Sequence, residues 1–299
     1  MGISIDEKRV YDASEGPTPV YVVGDLGVTR VDTSDDLVGE FGLARRCSAR
    51  DAAGRDGRLA VATDEDVLVG VFGKSAPDEN ADEANGEGDE EVEFEALGVG
   101  PATAVGLGDA RGGESGELLV AREGGTLLRG NATVGEETDS DWTDLGEVDD
   151  VRAIDGDFVA TDSGVYQATD GGLKHVGLDG VRDVSTDGVP LAATEEGLYK
   201  LGNGWMDELS GEFSAVDAAA ADAGLLGWAH AASEEGLFAH DEDEWREVEL
   251  PVEGEIVALD HGEEGAYAVT EDGTFLLSVG DGWNHQILGI RGVRAVAAP

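Results

Sequence analysis

The sequence predicts an all-β fold, a seven-bladed β-propeller made of four-stranded antiparallel blades. Three observations predict it. A hairpin pattern recurs along the chain, a short apolar stretch precedes most of the hairpins, and a tryptophan follows several of them. The chain also has 46 glycines in 299 residues, about twice the average usage of roughly 7%, as expected for a fold with many tight turns.

The hairpins form the clearest repeat. Each has an apolar strand, a turn of Thr or Ser and acidic residues that usually ends in glycine, and a second short strand. Six copies share this pattern, at residues 59–68, 118–127, 158–166, 191–199, 231–238 and 268–275. A seventh, more degenerate copy spans residues 21–29.

Two further strands complete each unit. Short apolar stretches before the hairpins are the expected inner strands, at residues 103–105, 151–154, 181–184, 213–216, 256–259 and 293–296. After several hairpins a polar turn leads to a tryptophan, at Trp142, Trp205, Trp245 and Trp283. Four strands in about 40 residues, repeated seven times, are typical of a propeller.

The two ends of the chain are expected to close the ring. The last apolar stretch, residues 293–297, has no hairpin after it, and the first hairpin, near Val20, has no convincing inner strand before it. Pairing the two completes one blade and removes exposed sheet edges. Residues 3–13 are a competing source of that inner strand, and an open β-solenoid is the main alternative fold.

The chain is expected to be one domain over residues 1–299, interrupted by an acidic insertion at about residues 74–95 that shows no core pattern. The single cysteine, Cys47, excludes an internal disulfide and suits a reducing compartment. The N-terminus has no apolar segment typical of a signal peptide, and no apolar run is long enough to span a bilayer. We therefore expect a soluble, cytoplasmic protein.

The chain is strongly acidic. It has 66 Asp and Glu against 19 Lys and Arg, which gives a formal net charge of −47. Without a basic face it is not expected to bind nucleic acid or an anionic membrane. The carboxylate excess and the scarcity of lysine resemble the proteins of extreme halophiles, in whose molar salt the Debye length falls to about 3 Å. We interpret the charge mainly as adaptation to that solvent.

The repeat resembles those of known propellers. The motif Thr-Asp-x-Gly-Val/Leu-Tyr, followed by Asp/Asn-Gly-Trp, is similar to the repeats of two-component-regulator propellers, Asp-box (BNR-like, sialidase-type) propellers and photosystem-assembly-factor propellers. Together with the composition, the whole chain resembles a haloarchaeal β-propeller family. The resemblance implies the fold. The signatures of WD repeats and the complete Asp-box are missing from the sequence, so sialidase catalysis does not carry over.

The sequence contains no recognisable catalytic set. It has no nucleophile elbow, phosphate-binding loop or zinc-protease helix, and we expect no cofactor. The five histidines show no spacing typical of metal ligands, and each is expected to be a lone polar residue: His175, His230, His240, His261 and His285.

Arginine gives the sharper signal for ligand binding. Arg152, Arg182 and Arg294 occupy the same place in the inner-strand motif Val-Arg-Ala/Asp-Val/Ile, and Arg50 is a less well aligned candidate. Inner strands start near the mouth of a propeller channel, so these guanidiniums are expected to converge there. The rigid, planar set of N–H donors on each guanidinium suits a carboxylate or phosphate ligand. The alternative is that each arginine pairs with an acidic turn of its own or the adjacent blade.

The acidic turns of the hairpins suggest a second, weaker site. They are expected to ring the channel mouth, where Asp162, Glu195, Glu234 and Glu271 are candidate ligands for Ca²⁺ or Mg²⁺. The alternative is that they serve only as turn residues of an acidic protein.

Arg45 and Arg46 begin the densest basic stretch of the chain, which continues with Arg50, Arg55 and Arg58. On such an acidic surface these two residues are candidates for docking an acidic partner. Asp51 and Asp56 lie in the same stretch, so the alternative is a locally neutralised, solvated face.

These observations favour a binding or scaffold protein, because a propeller offers a wide, rigid face. We expect a monomer whose partner at the channel mouth is a protein or a small anionic ligand. The alternative is an enzyme of the hydrolase or lyase type that acts there on a small anionic or sugar substrate. Its arginines would clamp the substrate and a turn carboxylate would serve as general base.

Overall fold

The computed structural model describes residues 17–72, 92–108, 117–131, 142–241, 244–280 and 282–299. These residues form 28 β-strands in seven four-stranded antiparallel sheets. Each sheet is one blade, so the predicted seven-bladed propeller is confirmed. Within the described ranges no helix is long and apolar enough to cross a membrane.

Blade 1 joins the two ends of the chain. From the channel outward its strands are β28 (Ala295–Ala297), β1 (Thr18–Gly24), β2 (Gly27–Ser34) and β3 (Leu37–Arg45). Val22 of β1 lies opposite Val296 of β28, which confirms the predicted closure of the ring. Residues 3–13, the competing source of this inner strand, lie outside the described residues.

The other six blades each follow the chain from an inner to an outer strand. Blade 2 contains β4 (Ala49–Arg55), β5 (Arg58–Thr63), β6 (Val67–Phe72) and β7 (Val92–Ala96). Blade 3 contains β8 (Ala102–Leu107), β9 (Glu117–Arg122), β10 (Thr126–Asn131) and β11 (Thr143–Glu147). Blade 4 contains β12 (Val151–Asp155), β13 (Phe158–Thr161), β14 (Gly164–Thr169) and β15 (Gly172–Gly177). Blade 5 contains β16 (Val181–Ser185), β17 (Leu191–Thr194), β18 (Gly197–Leu201) and β19 (Trp205–Ser210). Blade 6 contains β20 (Phe213–Ala218), β21 (Ala229–Ser233), β22 (Gly236–Asp241) and β23 (Glu244–Val248). Blade 7 contains β24 (Ile256–His261), β25 (Ala266–Thr270), β26 (Thr274–Ser278) and β27 (Asn284–Ile287).

The end of the predicted insertion belongs to blade 2. Residues 92–95 are part of β7, in which Val92 is buried and pairs with Phe72. The prediction that the insertion extends to residue 95 was wrong, because the alternating glutamates of this outer strand resemble an acidic loop. Residues 74–91 lie outside the described residues.

The recurring Thr or Ser of the repeat closes the turn between the second and third strands of a blade. Thr161 Oγ1 donates a hydrogen bond to the Gly164 carbonyl oxygen at 2.7 Å. Gly164 has a φ of +124°, and an added Cβ would lie 2.5 Å from the Leu178 carbonyl oxygen. Glycine is therefore required at this position of the turn.

The core lies between the blades. Seven apolar clusters of described residues each combine side chains of two neighbouring blades, so every blade interface contains one cluster. The tryptophans predicted to lead into outer strands pack against four of these clusters, as Trp142, Trp205, Trp245 and Trp283. Each blade is thus apolar on both faces, as expected for a sheet packed on two sides.

One face of the ring carries both the starts of the inner strands and the turns between second and third strands. Backbone hydrogen bonds join them, from Asp64 to Ser48, from Glu195 to Gly180 and from Glu271 to Glu255. We call this face the mouth face and the opposite one the rear face.

Removing residues 295–299 tests the closure of the ring. The truncation deletes β28, so β1 loses its inner partner and the buried Val296 and Ala297 are lost. In molar KCl we expect the melting temperature to fall by at least about 10 °C, measured by circular dichroism. Deleting Pro299 alone is the control and should change the melting temperature little. An unchanged melting temperature after the longer truncation would contradict the closure.

Candidate functional site

A channel runs along the propeller axis between the inner strands. Its cavity volume is about 190 Å³, and Arg152, Arg182 and Arg294 are among its lining residues. Five aspartates line it as well: Asp51, Asp155, Asp183, Asp217 and Asp260. The channel is therefore polar, with three arginines at the start of the inner strands, Arg55 at the far end of β4 and carboxylates along the strands.

A β-bulge recurs at the second residue of the inner strands. In blades 2 to 7 the pairing with the next strand skips one residue, at Arg50, Thr103, Arg152, Arg182, Ser214 and Val257. In blade 1 the corresponding residue, Arg294, immediately precedes β28. Because a bulge leaves its residue unpaired and redirects the side chain, this position presents arginine at the mouth face in four of the seven blades.

Three of these arginines form ion pairs with acidic residues of the mouth face. Arg152 lies 3.6 Å from Asp162 of its own blade, and Arg50 lies 3.4 Å from Glu123 of blade 3. Arg182 contacts Glu195 and Glu212. This arrangement is the pairing alternative that the sequence left open.

Arg294 differs from the other three. Its side chain is exposed and forms no ion pair with any residue in the described ranges. Arg50 occupies the repeat position of the group, better aligned than expected, but it does not line the channel cavity. The structure thus brings Arg152, Arg182 and Arg294 to the channel and places Arg50 beside them.

The acidic turn residues lie on the mouth face as expected. Asp162 and Glu195 are engaged by arginine, and Glu234 and Glu271 belong to the turns of blades 6 and 7. Among the described residues, no three His, Cys, Asp or Glu side chains are placed to hold a metal ion. The turns are one to a blade around the ring, which keeps their carboxylates apart.

The basic stretch of the sequence is divided between the two faces. Arg45 and Arg46 are exposed where β3 ends at the mouth face. Arg55 and Arg58 flank the β4–β5 turn at the rear, where Arg55 lies 2.9 Å from Asp187. The docking candidates Arg45 and Arg46 therefore stand without the other two arginines, because β4 crosses the whole blade between them.

Half-buried aspartates of the channel link four of the inner strands to the next blade. Asp51 accepts a hydrogen bond from the Val105 amide at 2.9 Å, and Asp183 accepts one from Val216 at 2.9 Å. Two further bonds of this kind join blade 4 to blade 5 and blade 7 to blade 1, from Thr186 to Asp155 and from Ala298 to Asp260. Sequence reasoning missed these links, since every carboxylate looked like part of the acidic surface.

Burial is the largest cause of the raised pKa values of these aspartates. It raises the pKa of Asp51 to about 7, although amide hydrogen bonds from Val105 and Ala52 oppose the shift. It raises the pKa of Asp155 to about 6 against the lowering effect of Arg55. Burial likewise raises the pKa values of Asp183 and Asp260 well above the usual range. Removing a carboxylate from water disfavours its charged form.

Two histidines form a chain with Asp217, so the expectation that each histidine stands alone was wrong. His261 Nδ1 lies 2.7 Å from an Asp217 oxygen, and His261 Nε2 lies 2.8 Å from His230 Nδ1. Trp228 and Trp283 pack against the edges of this pair. Burial, and secondarily the neighbouring His261, lowers the pKa of His230 well below its usual range. The two residues are distant in sequence and meet because blades 6 and 7 are adjacent.

Comparison with known proteins assigns the family. The family model described as "Beta-prop_HVO_0234:-like, beta propeller" matches residues 4–299. The chain belongs to this family. The family is named for a haloarchaeal protein, and its description agrees with the propeller that the repeats predicted. No curated protein sequence matches the chain.

Solved structures share the fold of this family member at low identity. The WD40 propeller of Doa1 has a TM-score of 0.58 and 14% identity over 83% of this chain and 86% of its own. The Pan2 WD40 domain of Neurospora crassa has a TM-score of 0.55 and 13% identity over 86% of each chain. YCF48 bound to D1 peptide has a TM-score of 0.52 and 13% identity over 81% of this chain and 83% of its own. These likenesses show the fold.

The raised pKa of Asp51 predicts that stability depends on pH. The folded protein keeps this proton up to about pH 7, whereas the unfolded chain releases it near the ordinary aspartate pKa of 3.8. The stabilisation is complete below that lower value and is lost as the pH rises through 7. Asp155, Asp183 and Asp260 act in the same direction, and the lowered pKa of His230 acts in the opposite one.

Denaturant unfolding in molar KCl at pH 5, 6 and 7 measures this contribution. Asp51→Asn keeps an acceptor for the Val105 amide but cannot titrate. It should make the free energy of unfolding fall less steeply with pH, by up to about 1.4 kcal/mol per pH unit. Exposed Glu147→Gln is the control and should keep the wild-type slope. An identical slope in Asp51→Asn would contradict the assignment.

Proposed function

We propose that the protein is a binding module that holds an oxyanion-bearing ligand at the channel mouth. One observation carries the proposal. The same position of the blade carries arginine in four blades, at a bulge for Arg50, Arg152 and Arg182 and just before β28 for Arg294. A chain with only 19 Lys and Arg against 66 Asp and Glu thus places four of its cations around one opening.

The existing ion pairs leave these arginines able to change partners. The Arg152 side chain is 54% exposed and its partner Asp162 is 59% exposed. Such solvent-exposed pairs contribute about 0 to 1 kcal/mol, so a ligand carboxylate or phosphate replaces the turn carboxylate at little cost. Arg294, without an ion pair among the described residues, is ready to bind a ligand directly.

The chemistry of the site selects oxyanions. A guanidinium donates two parallel hydrogen bonds to a carboxylate or phosphate. Several guanidinium groups around one opening therefore bind a ligand that carries more than one such oxyanion group. The oxyanion groups belong either to a small polyanion or to the acidic side chains of a protein segment. YCF48, which shares the fold, was solved with a bound peptide, and this supports a propeller of this size as a peptide-binding scaffold.

Calorimetric titration of the full chain in molar KCl tests the proposal. The probes are citrate, inorganic phosphate and a glutamate-rich hexapeptide, which separate the two sources. The variant Arg152→Gln, Arg182→Gln, Arg294→Gln should lose about tenfold or more of the affinity for whichever probe binds. Circular dichroism should show that it remains folded, since the bonds lost are exposed.

The matched control removes three cations elsewhere, as Lys174→Gln, Lys200→Gln and Arg246→Gln. Because these residues lie on outer parts of the blades, the control should change the affinity less than about twofold. Equal affinity of the mouth variant and the wild type would contradict the proposal. Failure of all three probes to bind the wild type would contradict it as well.

A further inference from the structure

The mouth face is not electrostatically uniform. At the inner-strand position where four blades carry arginine, blades 3, 6 and 7 carry Thr103, Ser214 and Val257. The turn of blade 3 is paired with Arg50 of the preceding blade, whereas no arginine pairs with the acidic turns of blades 6 and 7 among the described residues. Among the described residues, arginine thus pairs with turn carboxylates of blades 3, 4 and 5, and not with those of blades 2, 6 and 7.

A groove lies on the mouth face beside blade 6, lined by blade 6, by the segment that leads to blade 7 and by Ile256 of blade 7. Its volume is about 610 Å³, and its lining combines glutamates with apolar side chains, of which the more buried ones form its floor. Leu237 and Ile256 are buried there, while Val248, Leu250 and Val252 are half-buried and pack on the same cluster. The volume falls within the roughly 300 to 1,000 Å³ of ligand pockets, and three apolar side chains of the floor reach solvent. We call it the blade 6/7 groove.

Glutamates surround the floor of the blade 6/7 groove. All are exposed, and none forms an ion pair with a described residue: Glu234, Glu235, Glu247, Glu249, Glu253 and Glu255. Elsewhere on this face Glu123, Asp162 and Glu195 each contact an arginine. A groove with an apolar floor and an unneutralised acidic rim is complementary to a partner that carries apolar and cationic side chains together.

We propose that the blade 6/7 groove docks an extended protein segment in which Arg or Lys side chains flank apolar ones. The apolar side chains cover Val248, Leu250 and Val252, and the cations pair with the surrounding glutamates. Apolar burial supplies affinity that molar salt does not screen, and the charges select the partner. This inference is independent of the arginine mouth, because the groove contains none of the mouth arginines.

Fluorescence anisotropy of a labelled heptapeptide tests the docking. The probe alternates arginine and leucine, and a second peptide has serine in place of each leucine. In 2 M KCl, where the Debye length is below about 3 Å, the arginine-leucine peptide should bind the full chain about tenfold or more tightly than the serine peptide. Similar affinities of the two peptides would overturn the role of the floor.

Variants of equal charge separate the groove from the general acidity of the surface. The groove variant is Glu234→Gln, Glu249→Gln, Glu253→Gln, and the control is Glu93→Gln, Glu95→Gln, Glu147→Gln on blades 2 and 3. All six glutamates are exposed, so both variants should fold. The groove variant should bind the arginine-leucine peptide about tenfold more weakly, and the control should change the affinity less than about twofold. Equal effects of the two variants, or no effect of the groove variant, would overturn the proposal.

Discussion

Each blade of this protein is apolar on both faces and must pack against two neighbours. The interior of the molecule is consequently a set of seven interfaces around an axis, and no blade can be left at an end without exposing a core face to water. The strand β28 has only three residues, but the closure of the ring depends on it. They place the end of the chain beside β1 and convert a row of sheets into a ring.

Ring closure also sets the chemistry of the axis. The inner strands come close enough for Asp51, Asp183 and Asp260 to accept amide hydrogen bonds from the next inner strand. A carboxylate removed from water is costly unless its oxygens have donors, and at each of these aspartates one donor belongs to a different blade. The polar lining of the channel therefore contributes to the connection between blades, and the rigid frame that results holds the mouth face in place.

The charge pattern of the mouth face arises where individual blades depart from the repeat. The same inner-strand position carries arginine in four blades, but Thr103, Ser214 and Val257 stand there in blades 3, 6 and 7. A nearly uniform backbone thus carries a non-uniform charge pattern on a surface that is otherwise strongly acidic. The two proposed sites lie on different arcs of this face, and the shared scaffold keeps their relative positions constant.

The sequence by itself determined the repeat, the number of blades, the closing strand and the outer tryptophans. These features are predictable because strand alternation, turn residues and unit length are local patterns that recur at a regular spacing. The same reasoning failed for residues 92–95, since an exposed outer strand with alternating glutamates has the composition of an acidic loop.

Only the tertiary structure decided which polar groups meet. Asp51 and Val105 are 54 residues apart, and His261 and Asp217 are 44 residues apart. Such contacts depend on which blades are neighbours and on the register of their inner strands, neither of which a local pattern contains. For the same reason the sequence identified the arginine position but not its partners: Asp162 for Arg152, Glu195 and Glu212 for Arg182, and none among the described residues for Arg294.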